Sequence, residues 1–345
     1  MMKMMRAQVL TEPYNFDLKE VPTPEITDDE VLVKVKYCGI CGSDWGSYTG
    51  KYADEVACIP LTTGHEVYGT IEEVGKNAKG LKVGDRVTYD ICKPCGTCYH
   101  CRIGEPLLCQ DFKQIGIHMD GGFAEYVKAP SENVHLFHKK FDESLLGLVE
   151  PFTIGVEVNN RAQIGKGDKV LIMGAGPIGI CVMQVAKRNG AQVIMTDLVK
   201  ERLEKAKSMG ADKTVLVSEE NLEERLDQFT DGEGIPVVVD TVCIPSSFEQ
   251  AVNLACPAGR VVCLGLKDKP SSICMAEITK KELTIVGSRL NNHCFDEVIE
   301  GFEDGSLHPE ELMTKAYNYK EIMDALNMIK EHPQDVLKIV LKFED

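Results

Sequence analysis

The fold of this chain is decided by one stretch, Lys169-Val170-Leu171-Ile172-Met173-Gly174-Ala175-Gly176-Pro177-Ile178-Gly179. Its apolar first half predicts a buried strand, and a helix is predicted over residues 178–189. The first glycine permits a tight turn, the second lets a pyrophosphate approach the backbone, and the third allows close helix–strand packing. The free N–H groups at the helix N-terminus favour phosphates. We therefore predict a dinucleotide-binding loop at Gly174, Gly176, Pro177, Ile178 and Gly179; a turn without a ligand is the alternative.

Two charged residues beyond this loop bear on the choice of coenzyme. Asp197 ends the predicted strand 192–197. A carboxylate there accepts hydrogen bonds from the adenosine ribose and repels a 2′-phosphate, so NAD is expected over NADP. Arg202 is near enough in sequence to touch the ribose or the adenine, and it leaves NADP use open. The plainer alternatives are a helix cap for Asp197 and a solvated helix charge for Arg202.

The chain around the loop alternates strands with helices from about residue 154 to residue 290. Short apolar strands between amphipathic helices predict a parallel, doubly wound sheet, so we expect an α/β protein with a Rossmann domain over residues 154–290. Residues 1–153 instead contain β-branched runs divided by Gly, Pro and Asp turns, which predicts a β-rich domain. The elements predicted for the α/β part are strands 169–173, 192–197, 214–217, 237–242, 260–264 and 283–287, and helices 178–189, 200–209 and 219–229.

Length and charge narrow the classes of function. The 345 residues suffice for two domains that each bury a core, and 38 basic against 54 acidic side chains give a net charge of −16. This acidic balance argues against nucleic-acid and anionic-membrane partners, which need a basic footprint. No signal-peptide pattern and no bilayer-spanning apolar run are present, so a cytoplasmic protein is expected. In that reducing compartment, clustered members of the 14 cysteines favour metal binding over disulfides.

A metal site is predicted where Tyr37-Cys38-Gly39-Ile40-Cys41-Gly42-Ser43-Asp44 is followed by Thr63-Gly64-His65-Glu66. A thiolate, an imidazole and a carboxylate are all zinc ligands, and a catalytic zinc keeps one position open. The candidate ligands are Cys41, His65 and Glu66, and the Ser43 hydroxyl follows two residues after the thiolate. A buried cysteine and a hydrogen-bonded histidine at a strand end are the alternative.

A second metal site, of another kind, is predicted in the segment from about residue 92 to residue 110. Cys95, Cys98, Cys101 and Cys109 have the spacing C-x2-C-x2-C-x7-C. Four thiolates complete a tetrahedral structural zinc site that has no open position and does no chemistry. Because the segment has little apolar content, zinc binding is expected to fold it. Cys92, just outside the spacing, is the competing ligand.

These features, in this order, resemble the zinc-dependent medium-chain alcohol dehydrogenase family over the whole chain. The stretches 39–44 and 64–66 are similar to its catalytic-zinc motifs, and Gly84-Asp85-Arg86-Val87 and residues 121–126 match its strand-linking signatures. The resemblance implies a GroES-like catalytic domain over residues 1–153 and 291–345, with a four-cysteine zinc lobe, in addition to the Rossmann domain.

The resemblance also implies the ligands of the catalytic zinc. Glu150, in Val149-Glu150-Pro151-Phe152, stands where simple alcohol dehydrogenases carry a second ligand cysteine. That carboxylate is the pattern of the sorbitol and threonine dehydrogenase branch. In this branch the positions of Cys41, His65 and Glu66 hold zinc, and Glu150 binds it directly or through water. A buried ion pair with Arg or Lys is the alternative for Glu150.

Two more roles follow from the resemblance. Ser43 matches a hydroxyl that relays the substrate proton, with a helix-cap or turn serine as the alternative. Gly46 replaces the histidine that carries this proton onward in many alcohol dehydrogenases. Arg289 matches an arginine that faces the substrate in sorbitol dehydrogenases, and a structural ion pair with Glu282 and Lys281 nearby is the alternative.

The implied reaction is oxidation of a secondary hydroxyl of a polyol or sugar acid to the ketone, with NAD and zinc. Residues 116–122, 150–154 and 289–292 look most like those of bacterial hexonate dehydrogenases, which oxidise acids such as L-gulonate or L-galactonate. Neutral polyols, polyol phosphates and L-threonine are alternative substrates, and a non-catalytic zinc- and NAD-binding regulator is the alternative of another class. The family forms homodimers and homotetramers, and strand 283–287, if it lies at a sheet edge, would pair with its copy.

Overall fold

The computed structural model describes residues 3–51, 59–266 and 269–343. The chain forms two compact units. Unit 1 contains Met1–Glu150, Phe295–Gly305 and Leu312–Asp345, and unit 2 contains Pro151–Cys294 and Ser306–Glu311.

Unit 1 opens with strands. In chain order they are β1 (Met4–Glu12), β2 (Asn15–Pro22), β3 (Glu30–Gly39), β4 (Glu66–Val74), β5 (Arg86–Tyr89), β6 (Cys92–Lys93), β7 (Lys113–Gln114), β8 (Tyr126–Pro130) and β9 (Val134–Leu136), with helices α1 (Gly42–Tyr48) and α2 (Tyr99–Arg102). β1 and β2 form a hairpin, and β3 lies in a larger sheet, antiparallel to both β4 and β8. Val31, Val33 and Val35 bury one face of β3, as the β-branched runs predict.

Unit 2 follows with alternating strands and helices. They are α3 (Val149–Ala162), β10 (Lys169–Met173), α4 (Pro177–Arg188), β11 (Gln192–Asp197), α5 (Lys200–Ser208), β12 (Lys213–Leu216), α6 (Leu222–Thr230), β13 (Ile235–Asp240), α7 (Pro245–Leu254), β14 (Ala255–Cys263), α8 (Met275–Lys281) and β15 (Thr284–Gly287). The first two residues of α3 belong to unit 1. The strands are parallel in the order β12-β11-β10-β13-β14-β15. This is the order of a Rossmann sheet, and it confirms the predicted fold class.

The C-terminal segment returns to unit 1 for most of its length. It contains α9 (Phe295–Asp304), β16 (Met313–Asn318), α10 (Ile322–Glu331) and β17 (Lys338–Lys342). β17 pairs with β16 and with the end of β3, where Val340 lies opposite Gly39. The last described strand therefore lies beside the segment that leads to Cys41.

Three features of the structure differ from the predictions or make them more specific. The helix predicted over residues 219–229 begins at Leu222, because the Asn221 side chain accepts the N–H of Glu224 at 3.3 Å and caps it. β15, predicted as a possible edge strand, is the last strand of its sheet in the described chain. Residues 306–311 belong to unit 2, where Gln184 exchanges hydrogen bonds of 2.7 and 3.1 Å with the His308 backbone.

The described chain contains no helix that is both long and apolar enough to cross a membrane. Its helices are short and most carry charged residues on an exposed face. This agrees with the absence of a spanning apolar run in the sequence.

Candidate metal and coenzyme sites

Three side chains with the chemistry of zinc ligands come together in unit 1. One ligand atom each from Cys41, His65 and Glu66 lies within 4.8 Å of the other two. The pairing of β3 with β4 produces this group, since Gly39 at the end of β3 lies opposite Glu66 at the start of β4. His65 and Glu66 are buried and Cys41 is half-buried. We name these three residues the three-donor group.

Asp44 ties together the two segments that carry the group. Its Oδ2 accepts the N–H of Cys41 at 2.9 Å, and its Oδ1 accepts the N–H of Gly64 at 3.0 Å. The same Oδ1 lies 3.8 Å from Nδ1 of His65. This separation is too long for a hydrogen bond, so Asp44 fixes the position of His65 through the backbone of the neighbouring Gly64. Asp44 is a site residue that the sequence prediction misses, although its position three residues after Cys41 is a usable signal.

Lys338 on β17 is the second residue that the sequence prediction misses. Its ammonium group contacts Oε1 of Glu66 and lies 3.4 Å from the carbonyl oxygen of Ile40. Burial alone would lower the pKa of Lys338, but the charges of Glu66 and Cys41 raise it above its ordinary value. A lysine in an apolar C-terminal strand gives no local sign of this contact.

The carboxylate of Glu66 has room because Gly39 has no side chain. A Cβ atom at position 39 would lie 2.1 Å from Oε2 of Glu66. Oε2 is itself buried and makes no hydrogen bond within the described part of the chain. Since Lys338 contacts only Oε1, Glu66 retains one buried acceptor that a metal ion would satisfy.

Ser43 and Glu150 flank the three-donor group. The Ser43 hydroxyl oxygen lies 3.4 Å from Nε2 of His65. Glu150, near the start of α3, is buried, and its carboxylate is not within the 4.8 Å limit that defines the group. Burial raises the pKa of Glu150 to about 7, with the nearby charge of Glu66 adding to this effect and that of His65 opposing it.

The group fits a zinc ion by donor type and by charge. Thiolate, imidazole and carboxylate are the zinc donors found in catalytic sites. Burial alone would lower the pKa of His65, but the charges of Asp44 and Cys41 raise it well above its usual value. The negative field that favours a proton on His65 also favours a divalent cation. Cys41, His65 and Glu66 are therefore the residues that would hold the metal.

The predicted four-cysteine lobe also brings its sulfurs together. The Sγ atoms of Cys95, Cys98, Cys101 and Cys109 all lie within 4.8 Å of one another, and the competing Cys92 is outside this group. Backbone N–H groups of Cys95 and Cys98 donate to sulfurs at 3.2 and 3.3 Å. Hydrogen bonds from Thr97 and from the Cys98 N–H lower the pKa of Cys95 to about 6. A set of four thiolates at this spacing fits a closed zinc site.

The glycine loop has a distinct geometry at each glycine. Gly174 has φ +102°, which favours glycine, and a Cβ at Gly179 would lie 2.0 Å from the carbonyl oxygen of Gly174. A Cβ at Gly176 would meet no protein atom within 4 Å, so the backbone is open to a ligand there. Gly176 is the N-cap of α4, with Pro177 and Ile178 in the first turn. An open helix N-terminus behind a tight turn fits a pyrophosphate.

A cavity of about 930 Å³ in unit 2 contains this loop in its lining. Asp197, Leu198 and Arg202 line the same cavity. Asp197 accepts the N–H of Ala175 at 2.8 Å with Oδ2 and the N–H of Val199 at 2.9 Å with Oδ1. The carboxylate is thus fixed at the C-terminal end of β11, where a parallel sheet of this order binds the adenosine ribose.

Arg289 lies in unit 2, in the turn that follows β15, and its side chain is exposed. Lys281, which belongs to the ion-pair alternative for Arg289, contacts Glu277 at 3.3 Å. The structure places Arg289 at the carboxyl end of the parallel sheet, which is the edge where such sheets bind ligands.

Two family models match the chain over the parts just described. Residues 27–139 match the alcohol dehydrogenase GroES-like domain, and residues 177–304 match the zinc-binding dehydrogenase domain. A relative that is 39% identical over 331 residues covers 95% of this chain and 95% of its own length. The chain belongs to the zinc-binding alcohol dehydrogenase family. This confirms the family and the GroES-like and Rossmann domain types predicted from the sequence.

The relatives of this chain have names that describe different functions. The relative with 39% identity is the starvation-sensing protein RspB of Escherichia coli (strain K12). The sorbitol dehydrogenase of Halalkalibacterium halodurans is 33% identical over 347 residues, covering 98% of this chain and 99% of its own. A solved RspB structure from Escherichia coli CFT073, complexed with NADH, has a TM-score of 0.93 at 36% identity and covers 99% of both chains.

Proposed function

We propose that the chain is a zinc-dependent NAD oxidoreductase that converts a secondary hydroxyl of a polyol or sugar acid into a ketone. The observation that carries this proposal is the three-donor group with the Ser43 hydroxyl 3.4 Å from Nε2 of His65. Three mixed donors leave a zinc position open for substrate, whereas four thiolates would close it.

The oxidation removes one hydride and one proton from the alcohol. When bound, zinc supplies the Lewis acidity that lowers the pKa of the hydroxyl, and NAD supplies the hydride acceptor. Ser43 is placed to accept the released proton and to pass its own onward, because a hydroxyl both accepts and donates. Asp44 fixes the backbone at Cys41 and Gly64, and Lys338 holds Glu66, so the donors stay fixed while the proton moves.

The substrate class is proposed from two kinds of support. Similarity to a sorbitol dehydrogenase favours a polyol-like substrate. The position of Arg289, an exposed residue at the carboxyl end of the parallel sheet, favours a carboxylate on that substrate, since arginine binds carboxylates in a bidentate manner. We therefore place hexonates such as L-gulonate or L-galactonate first, ahead of neutral polyols, polyol phosphates and L-threonine.

One observation favours a second candidate, a zinc- and NAD-binding regulator without turnover. A relative with 39% identity is named a starvation-sensing protein. Nevertheless, a regulator has no need for three mixed donors with a hydroxyl beside them, so the enzyme remains the first choice.

One assay tests the enzyme against the regulator and ranks the substrates. NADH formation is followed by absorbance with zinc-loaded protein, NAD and a panel of hexonates, neutral polyols, polyol phosphates and L-threonine, with and without a chelator. We expect chelator-sensitive turnover that is fastest with a hexonate. Binding of NADH without turnover on the whole panel would favour the regulator.

Arg289 tests the preference for acids separately. Arg289→Ala is expected to raise KM for a hexonate more than KM for a neutral polyol, because only the acid loses an ionic partner. Arg289→Lys keeps the charge and serves as the control. Equal increases for both substrates would remove the reason to place hexonates first.

A further inference from the structure

Four charged side chains of the described chain line the 930 Å³ cavity of unit 2, and three of them are carboxylates. They are Asp197, Arg202, Glu223 and Glu249. Glu249 accepts the N–H of Ser272 at 2.6 Å, which directs one of its oxygens to the protein. Asp197 and Arg202 were predicted as coenzyme residues, but Glu223 has no assigned role. The balance of these charges decides which dinucleotide the cavity accepts.

Glu223 belongs to the end of the cavity that contains Asp197. In the sheet, Asp197 of β11 lies opposite Leu216 of β12, and the N–H of Val217 donates to the carbonyl oxygen of Asp197 at 3.3 Å. The chain then turns into α6, in which Glu223 is the second residue. Val217 and Glu223 both line the cavity, so this carboxylate approaches from the β12 side of Asp197.

The other groups at this end act in opposite directions on a 2′-phosphate. The carboxylate of Asp197, which accepts one backbone N–H on each oxygen, from Ala175 and from Val199, repels it. Arg202 is a natural partner of a phosphate. The N-terminal end of α6 adds a positive dipole that also favours anions.

Glu223 adds a further negative charge to the cavity wall beside that of Asp197. Within the described part of the chain its carboxylate makes no hydrogen bond or ion pair, and its side chain is exposed. The neighbouring Glu220 is engaged with Arg225 at 3.1 Å and with the N–H of Leu216 at 2.9 Å. Glu224 contacts Gln228 at 3.4 Å and does not line the cavity. Among these glutamates, Glu223 alone combines a free carboxylate with a place in the cavity wall.

We propose that Glu223 strengthens the preference for NAD that is expected from Asp197: its free carboxylate adds to the repulsion of the 2′-phosphate of NADP and opposes the attraction by Arg202. This inference rests on the proposed dinucleotide function of the cavity. A 2′-phosphate carries nearly two negative charges near neutral pH. Repulsion by one exposed carboxylate in the wall of the same cavity then weakens its binding by about 5- to 10-fold at low salt.

The test measures binding and needs neither zinc nor substrate. Dissociation constants of NADH and NADPH are determined by calorimetry at low ionic strength for the wild type, for Glu223→Gln and for Glu224→Gln. The first substitution removes the charge with little change of shape, and the second does the same one residue later, outside the cavity. We expect Glu223→Gln to narrow the NADH over NADPH preference by about 5- to 10-fold, through tighter NADPH binding alone.

Two further results would support the inference, and three others would overturn it. The control Glu224→Gln should keep the wild-type preference, and added salt should shrink the effect of Glu223→Gln because the carboxylate is exposed. An unchanged preference in Glu223→Gln would overturn the role of Glu223, and so would an equal change in both variants. Failure of every protein to bind either dinucleotide would overturn the proposed coenzyme function itself, which is a different outcome from binding without a change of preference.

Discussion

The two cysteine-containing groups of unit 1 use similar donors in opposite ways. The four sulfurs of the lobe come from residues 95–109. Only one of those four cysteines is buried, and the other three are exposed or half-buried. The three-donor group combines the residue that follows β3 and Ile40 with the first residue of β4 and the residue directly before it. Two of its members are buried, and its carboxylate is contacted by Lys338 from β17. A short contiguous segment can supply four identical donors. A mixed and incomplete set needs the surrounding fold to hold it.

This difference explains why only one group is suited to chemistry. A closed tetrahedral site has no position for a substrate, while three donors leave one. An incomplete site must be kept rigid by other residues, and Asp44, Lys338 and the space at Gly39 do this in unit 1. The comparison yields four predictions, which run from the largest expected effect to the smallest.

Cys41→Ser tests whether the three-donor group is the reactive one. We expect zinc to be lost from this group and turnover to fall by at least about 10³-fold, since Lewis-acid stabilisation is worth several kcal/mol. NADH binding should persist, because the coenzyme cavity lies in unit 2. Metal analysis and steady-state kinetics measure both effects. Cys274→Ser, at an exposed cysteine, is the control, and wild-type activity in Cys41→Ser would disprove the zinc assignment.

Lys338→Met tests whether the fold sustains the buried charge of Glu66. Removal of one partner leaves an uncompensated buried charge, so the metal-free protein should lose about 3–5 kcal/mol of unfolding free energy. Denaturant unfolding measures this loss. Lys338→Arg should recover most of the stability. Lys342→Met, which changes a half-buried lysine on the same strand, is the control. A Lys338→Met protein as stable as the wild type would show that the contact with Glu66 is unimportant.

Asp44→Asn tests whether the backbone beside Cys41 and His65 must be held in place for zinc to bind. The amide retains one acceptor oxygen for the two N–H groups that Asp44 now accepts, so one of those hydrogen bonds is lost. Zinc affinity of the three-donor group should fall by about 10- to 100-fold, as for other partners of metal ligands. Competition with a chromogenic chelator measures it. Asp120→Asn is the control. It removes another carboxylate that accepts a backbone N–H, from Thr62 at 3.0 Å, and it should leave zinc affinity unchanged.

Cys98→Ser tests the claim that the lobe is structural. Zinc content should fall from about two ions per chain to about one, and the 95–109 segment should become sensitive to protease, because metal binding folds it. Turnover should fall less than in Cys41→Ser. Cys92→Ser should keep both zinc ions, since Cys92 lies outside the four-sulfur group. Equal loss of activity in Cys98→Ser and Cys41→Ser would remove the distinction between the two groups.

The sequence predicts most of unit 2 and all four lobe cysteines. β10, β11 and the loop between β10 and α4 follow from local patterns, because an apolar run, a glycine spacing and a helix start are all read within about 20 residues. The start of α6 is predicted three residues too early, since the Asn221 cap competes with the helical signal of the preceding glutamates. Boundaries of this kind depend on single hydrogen bonds.

By itself, the sequence predicts the types of donor, the glycine loop and the family, because spacing along the chain carries that information. Only the tertiary structure decides which residues support the donors. Lys338 reaches Glu66, and Gly39 makes room for its carboxylate, through strand pairings between distant segments. The placement of Glu223 in the cavity wall likewise depends on β12 lying beside β11. Contacts between residues far apart in the chain have no local signature, so they appear only when the strands are assembled.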